Sequence, residues 1–348
     1  MAVINYIEAI NQALREEMRQ DERVVIWGED LISMNGVFGQ TKDIYDEFGG
    51  DRIKDTPICE QAIAGMAMGA AYRGLRPIGI FMNAGFSLCA FDTVFLKLGC
   101  IGGSLGGGSS NTGVHGYRTS MPVVIYGVVG GQRDDNDHGV SPEALYMHAP
   151  YLKIVMPSTP YDVKGLMKTA IRDDYPVVFW DHAWCFFMAH KDGEIVRSQE
   201  AVSQEIPGKE YLIPFGKADV KRQGTDVTLV TYSFMVHVAL AASYNLAKEG
   251  INVEVVDLRT IVPLDVEAII TSAKKTRRLL IVHEAMKRGG SAGEILWRVH
   301  EEAPDLVRSL KSFKRLAAKN LPLNAHYGPR LVPSVDMIAD TVKDMMNT

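Results

Sequence analysis

Cysteine is scarce: Cys59, Cys89, Cys100 and Cys185 are the only four in 348 residues, and no two stand at CxxC spacing. A disulfide framework and a cysteine-built metal site are thereby excluded. Because each lies in an apolar stretch, reduced and buried thiols in a cytoplasmic protein are expected. Positive charge is also short. The 37 Lys and Arg against 42 Asp and Glu leave a formal charge of −5, which argues against a nucleic-acid surface. No apolar run reaches the roughly 20 residues that cross a membrane. The opening residues, Met1 to Glu8, lack the basic start and small-residue cleavage site of a secretory leader. What remains has the balance of a globular protein, with a length that suggests about two domains.

The apolar residues are arranged as alternating strands and helices. Ile7, Ile10, Leu14 and Met18 recur at helical spacing, and Val24 to Trp27 reads as a short strand ending in Gly28-Glu29-Asp30. A short helix is predicted near Asp43 to Phe48, a small-residue helix over Gln61 to Gly74, and a buried strand over Pro77 to Met82. Ser87 to Leu98 reads as a helix with Phe91, Val94, Phe95 and Leu98 on one face. Residues 99 to 120 are read as a Gly/Ser-rich loop. Strands follow at Val123 to Val129, Lys153 to Met156 and Pro176 to Trp180, with helices from Pro142 and Tyr161. Continuously apolar strands alternating with helices predict a parallel sheet covered on both faces. Residues 1–186 are read as a first domain. The polar stretch 187–220 is read as a linker, and 221–348 as a smaller second α/β domain. Its last helix, from Val335, places Ile338, Val342 and Met345 on one stripe.

Ligands of parallel α/β sheets bind at the carboxyl ends of the strands. Glu29, Glu60 and His138 fall at such ends, with Phe81 and Phe86 flanking another. Glu60 opens a helix whose other residues, Ala62, Ala64, Gly65, Ala67, Gly69, Ala70 and Ala71 among them, offer it no ionic partner. Its pKa is therefore expected to rise, as suits acid–base chemistry. A first-turn Glu that merely complements the helix dipole is the competing reading. A carboxyl, an imidazole and an aromatic face together suit a planar heteroaromatic ligand: the ring stacks on the aromatic, the carboxyl holds a ring nitrogen and the histidine shuttles a proton. The run Gly102 to Gly108 lacks a preceding strand and a closing Gly-Lys-Ser/Thr, so it reads as an active-site cover, not a phosphate loop. His115 and Arg118 at its far end are candidates for an anionic substrate group. A nicotinamide-binding reading fails because no Gly-x-Gly-x-x-Gly follows the first strand.

Several segments carry a resemblance: Trp27-Gly28-Glu29-Asp30, Gly36-Val37-Phe38, Asp55-Thr56-Pro57-Ile58-Cys59-Glu60, Gly74-Leu75-Arg76-Pro77, Val155 through Asp162, Ala170-Ile171-Arg172-Asp173, Asp257-Leu258-Arg259-Thr260, Pro263-Leu264-Asp265 and Val282-His283-Glu284-Ala285. In order and nearly end to end, the chain resembles the β subunit of thiamine-diphosphate-dependent 2-oxoacid dehydrogenase E1 components, of the pyruvate, branched-chain and acetoin type. The resemblance implies a transketolase-like pyrimidine-binding domain followed by a transketolase C-terminal domain. It places Glu60 at the aminopyrimidine N1′, where it favours the tautomer whose 4′-amino group removes the thiazolium C2 proton. It places Phe86 against the pyrimidine, Glu29 in the same pocket, and His138 beside the acyl group on its way to a lipoyl or other carrier. It also implies a potassium ion held by carbonyls of Ala170, Ile171 and Asp173.

Thiamine diphosphate requires Mg²⁺, which the family holds with a Gly-Asp-Gly motif absent from this chain. The resemblance therefore implies an α subunit that supplies the diphosphate–Mg²⁺ half, in an α2β2 assembly that docks an E2 core if lipoyl chemistry is used. Departures from the family pattern lie on the substrate side. The usual His-Ser-Gln reads His138-Gly139-Val140, the acidic run Asp134 to Asp137 precedes it, and a late Asp-x-Pro-x-Pro is degraded to Asn320-Leu321-Pro322-Leu323. A transketolase-like transfer of a two-carbon ketol or acyl unit from a ketose to a carrier protein is the alternative activity. A non-catalytic scaffold subunit is the distant one.

Overall fold

The computed structural model describes residues 2–101, 121–131, 138–320 and 331–348. The first half contains β1 (Ala2–Asn5), α1 (Tyr6–Gln20), β2 (Val24–Gly28), α2 (Ile44–Phe48), β3 (Ile53–Asp55), α3 (Glu60–Tyr72), β4 (Arg76–Asn83), β5 (Val124–Val129), α4 (Glu143–Tyr146), β6 (Lys153–Val155), α5 (Pro160–Arg172) and β7 (Val177–His182). Helix α1 starts where the sequence supplies a reciprocal cap. Asn5 Oδ1 accepts from the Glu8 N–H and the Glu8 carboxylate accepts from the Asn5 N–H, each at 2.9 Å. Alternate residues of the strands feed two cores. Ile26, Ile78, Tyr126 and Phe179 pack with α1 and α5, whereas Phe81, Ile125, Val178 and Trp180 pack with α3. Burial on both faces is why these strands read as unbroken apolar runs.

The stretch from 187 to 220 holds a hairpin, β8 (Met188–Lys191) with β9 (Glu194–Arg197), and β10 (Ser203–Ile206), which pairs antiparallel with β1. Beyond it come β11 (Asp219–Arg222), β12 (Val227–Thr231), α6 (Met235–Lys248), β13 (Val253–Asp257), β14 (Thr260–Val262), α7 (Val266–Thr276), β15 (Arg278–Met286), α8 (Ala292–Glu302), α9 (Pro304–Ser309), β16 (Ser312–Ala318) and α10 (Val335–Met346). The five-stranded sheet runs β11-β13-β12-β15-β16 and the seven-stranded sheet runs β14-β6-β7-β5-β4-β2-β3. Both are parallel apart from one edge strand each, β11 and β14. Strand β14 leaves its own domain and adds to the edge of the first sheet, with Thr260 opposite Val155. Among the described residues no helix is long and apolar enough to cross a membrane.

Two expectations need correction. The segment read as one helix over Ser87 to Leu98 is a 3-10 turn over Ala84–Ala90 followed by a π-helix over Asp92–Ile101. The Ser87 hydroxyl donates to the Ala84 carbonyl and accepts from the Tyr146 hydroxyl at 2.6 Å, a side-chain competition that tightens the first turn. At the far end a Cβ on Gly99 would lie 2.7 Å from that of Ala149. The cysteines are free as expected, but only Cys185 is buried. Cys59, at the N-terminus of α3, and Cys89, on the outer side of the 3-10 turn, are exposed.

Candidate active site

Adjacent strands β5, β4, β2 and β3 end along one edge of the sheet, and each delivers a polar or aromatic group there. Glu29 follows β2 directly. Gly28 must be glycine, because a Cβ there would sit 2.2 Å from the Ile80 carbonyl oxygen. The next residue, Glu29, is buried, only 3% exposed. Among the described residues its Oε1 is buried without a hydrogen-bond partner. Burial pushes the Glu29 carboxyl up to about 7, helped by the negative charges of Glu60 and Asp30. Glu60, 7% exposed, is the first residue of α3. Cys59 precedes it and makes no side-chain cap. Among the described residues no hydrogen bond or ion pair reaches Glu60.

Phe86 stands in the turn after β4, half-buried, and meets the His138 ring edge-on at 5.1 Å between centroids. Phe81 is instead fully buried core. The structure thus brings Glu29 beside Glu60 and Phe86 beside His138 on one sheet edge. The carboxyl held up to about 7 is that of Glu29, which the sequence placed in the same pocket without marking it for a raised value. His115, Arg118 and the run Asp134 to Asp137 lie outside the described residues. Ala170, Ile171 and Asp173 sit at the carboxyl end of α5, where Arg76, the first residue of β4, reaches the carbonyls of Ile171 and Asp173. They belong to the opposite edge of the sheet.

A second buried polar group, missed in the sequence, lies where the domains meet. His182, at the end of β7, has its Nε2 2.5 Å from Glu284 Oε2 of β15. The backbone of Gly130 comes so close that a Cβ would overlap the His182 ring at 2.0 Å. Nearby, the Tyr232 hydroxyl donates to Glu143 at 2.7 Å and contacts Ser291 Oγ at the same distance. The available signal was a polar pair, Asp181-His182, ending an apolar strand.

The Glu29 environment has a signed consequence. Its carboxyl ordinarily titrates near 4.5 and is held up to about 7 when folded. Between those values the folded state binds the extra proton, so this group's contribution is complete below the lower value and is lost as pH rises through the upper one. Glu29→Gln is expected to remove that slope and to be more stable than wild type at about pH 8. Unfolding midpoints across that range check it; an unchanged slope would contradict the buried, proton-bearing Glu29.

Residues 2–182 match the family described as the transketolase pyrimidine binding domain, and residues 216–330 the transketolase C-terminal domain. The 2-oxoisovalerate dehydrogenase subunit beta of Bacillus subtilis is 41% identical over 92% of this chain and 91% of that protein. The chain belongs to the E1 β-subunit family. The pyruvate dehydrogenase E1 component subunit beta of the same organism is 40% identical over 87% of this β subunit and 86% of its own length. The acetoin:2,6-dichlorophenolindophenol oxidoreductase subunit beta of Cupriavidus necator is 40% identical over 85% and 83%. A solved split gene transketolase, an inactive beta4 tetramer, superposes with a TM-score of 0.73 over 99% of this chain and 98% of its own, at 21% identity. It bears out the transketolase-like two-domain architecture.

Proposed function

We propose that this β subunit forms the pyrimidine-binding half of a thiamine-diphosphate site that decarboxylates a 2-oxoacid, or cleaves an α-ketol, and passes the acyl unit to a lipoyl or other carrier. The observation that carries the reading is the pair of buried carboxyls at the sheet edge, one with an oxygen that finds no partner among the described residues, on the same edge as a half-buried aromatic ring that packs against His138. Those groups fit an aminopyrimidine. Glu60 would hold the proton at the ring nitrogen, and Phe86 would cover a ring face. His138, against Phe86, would move a proton on the substrate side. When bound, the cofactor supplies the nucleophilic carbon that such a decarboxylation needs. Its Mg²⁺ calls for hard oxygen donors. This chain has no Gly-Asp-Gly, and among its described residues no cluster of acidic, His or Cys side chains is placed to hold a metal. An α subunit supplying that half in an α2β2 assembly completes the site.

The test is reconstitution with an α-like chain that bears Gly-Asp-Gly, followed by reduction of an artificial electron acceptor. Turnover of a 2-oxoacid or α-ketol is expected from the pair and none from this chain alone. Equal turnover by the isolated chain, or a pair that neither binds thiamine diphosphate nor turns over any donor, overturns the reading. The departures around His138 favour a second donor class, ketose phosphates, which the same assay screens. A scaffold role would leave the pair inert with every donor.

A further inference from the structure

The loop that closes α5 is where the resemblance implies a potassium ion, and each of the three carbonyls named for it already accepts a hydrogen bond. Arg76 Nη1 donates to the carbonyl oxygens of Ile171 and Asp173, each at 3.0 Å. The Ala170 carbonyl accepts from the Asp173 N–H at 3.3 Å. The Asp173 carboxylate is also engaged, accepting from the Tyr175 N–H at 2.8 Å and from the Lys153 ammonium. The Arg76 guanidinium therefore already faces two of the three carbonyls that would coordinate an ion, and Lys153 faces the carboxylate beside them.

We propose that the Arg76 guanidinium is the resident cation of this loop, so that the β subunit takes no potassium there. The carboxyl end of a helix presents unsatisfied carbonyls and the negative end of its dipole, and a cation of either kind answers that demand. Arg76 is built to stay. Its own N–H donates to the Arg23 carbonyl at 2.8 Å, and its residue pairs with Val24 in the sheet. Nη2 bonds Asp174 at 2.6 Å, Asp21 lies 3.8 Å from Nε, and the side chain is only 15% exposed. An alkali ion on the same carbonyl oxygens would sit beside the guanidinium and be repelled by it. The arrangement ties α5 to the first residue of β4 without an exchangeable component, and it is independent of any thiamine chemistry.

Thermal unfolding of the αβ complex in potassium chloride, against choline chloride at equal ionic strength, tests this directly. Midpoints within about 1 °C are expected, since a ligand that does not bind the folded state adds nothing. Crystals soaked in thallium(I) should show no anomalous peak at the loop. Arg76→Met, which keeps the apolar stem, is expected to acquire both a thallium peak and a potassium-dependent midpoint. A potassium-specific rise of more than about 3 °C in wild type, or a thallium peak between Ile171 and Asp173, would overturn the proposal. So would an Arg76→Met protein that folds yet is as indifferent to potassium as wild type. If that variant does not fold, the wild-type measurements decide alone. None of these readouts requires turnover, so an inactive pair leaves the test intact.

Discussion

Glu60→Gln is expected to lower turnover of the reconstituted pair at least about a hundredfold while leaving assembly intact. The substitution keeps shape and volume at the first residue of α3 and removes only the acid–base function. Among the described residues Glu60 has no ion-pair or hydrogen-bond partner to lose, and Cys59 gives the helix no side-chain cap that could be disturbed. A structural role would therefore leave little trace, whereas a role at a ring nitrogen would abolish the proton exchange that general acid–base groups supply. The variant has a second, independent signature. The charge of Glu60 is one cause of the raised Glu29 carboxyl. Removing it should let Glu29 titrate lower and move the pH-dependent stability window down with it. Near-normal turnover in a correctly assembled pair would refute the proposed function of Glu60. A lost rate with an unmoved window would separate the two carboxyls.

The strands, most helices and the edge that carries the site were legible because each rests on a local pattern. Val24 to Trp27, Pro77 to Met82 and Val123 to Val129 are apolar on both faces, and the ends of such strands are where polar residues collect. What was illegible depends on distance along the chain. Thr260–Val262 is three residues long, and nothing in it says that it leaves one domain to pair with Val155 in the other. His182 and Glu284 lie 102 residues apart. The raised carboxyl at Glu29 depends on its burial and on the approach of Glu60 from another strand end, which no spacing rule encodes. The π-helix over Asp92–Ile101 keeps the same apolar residues inside that an α-helix would, so periodicity does not distinguish the two. Two of the family segments also change meaning in three dimensions. Ser158 to Asp162 and Asp257 to Arg259 are joined to each other rather than to the candidate site, Ser158 Oγ donating to Asp257 Oδ2 at 2.6 Å.

That joint makes Asp162→Ala the substitution with the largest expected cost in stability, about 3–5 kcal/mol. Asp162 is fully buried near the start of α5. One carboxylate oxygen accepts from Arg259 at 2.7 Å; the other accepts from the Lys221 ammonium at 2.6 Å and from Thr159 Oγ1 at 2.6 Å. Burial alone would raise this carboxyl, yet Lys221 and Arg259 hold it below the usual carboxylate range. Its contribution is therefore present above the ordinary Asp value of 3.8 and is lost as pH falls through the lower folded value. Without Asp162, the side chains of Lys221 and Arg259, only 12% and 11% exposed, retain Asp219, which is 39% exposed, as their shared partner. Lys221 is also left 3.7 Å from the buried Asp257. Removing one member of a buried ionic cluster costs more than the cluster contributes, because the remaining charges stay desolvated. Since β11, the β13–β14 connection and α5 all converge here, the two domains should loosen together at neutral pH and the difference from wild type should shrink in acid. Chemical denaturation of Asp162→Ala, alone and combined with Lys221→Met, measures the effect. The double variant should recover part of the loss by removing one stranded cation. A single-variant cost below about 1 kcal/mol would mean that Asp219 and Asp257 suffice to hold both cations, and that the domains are joined by apolar packing and the β14–β6 pairing instead.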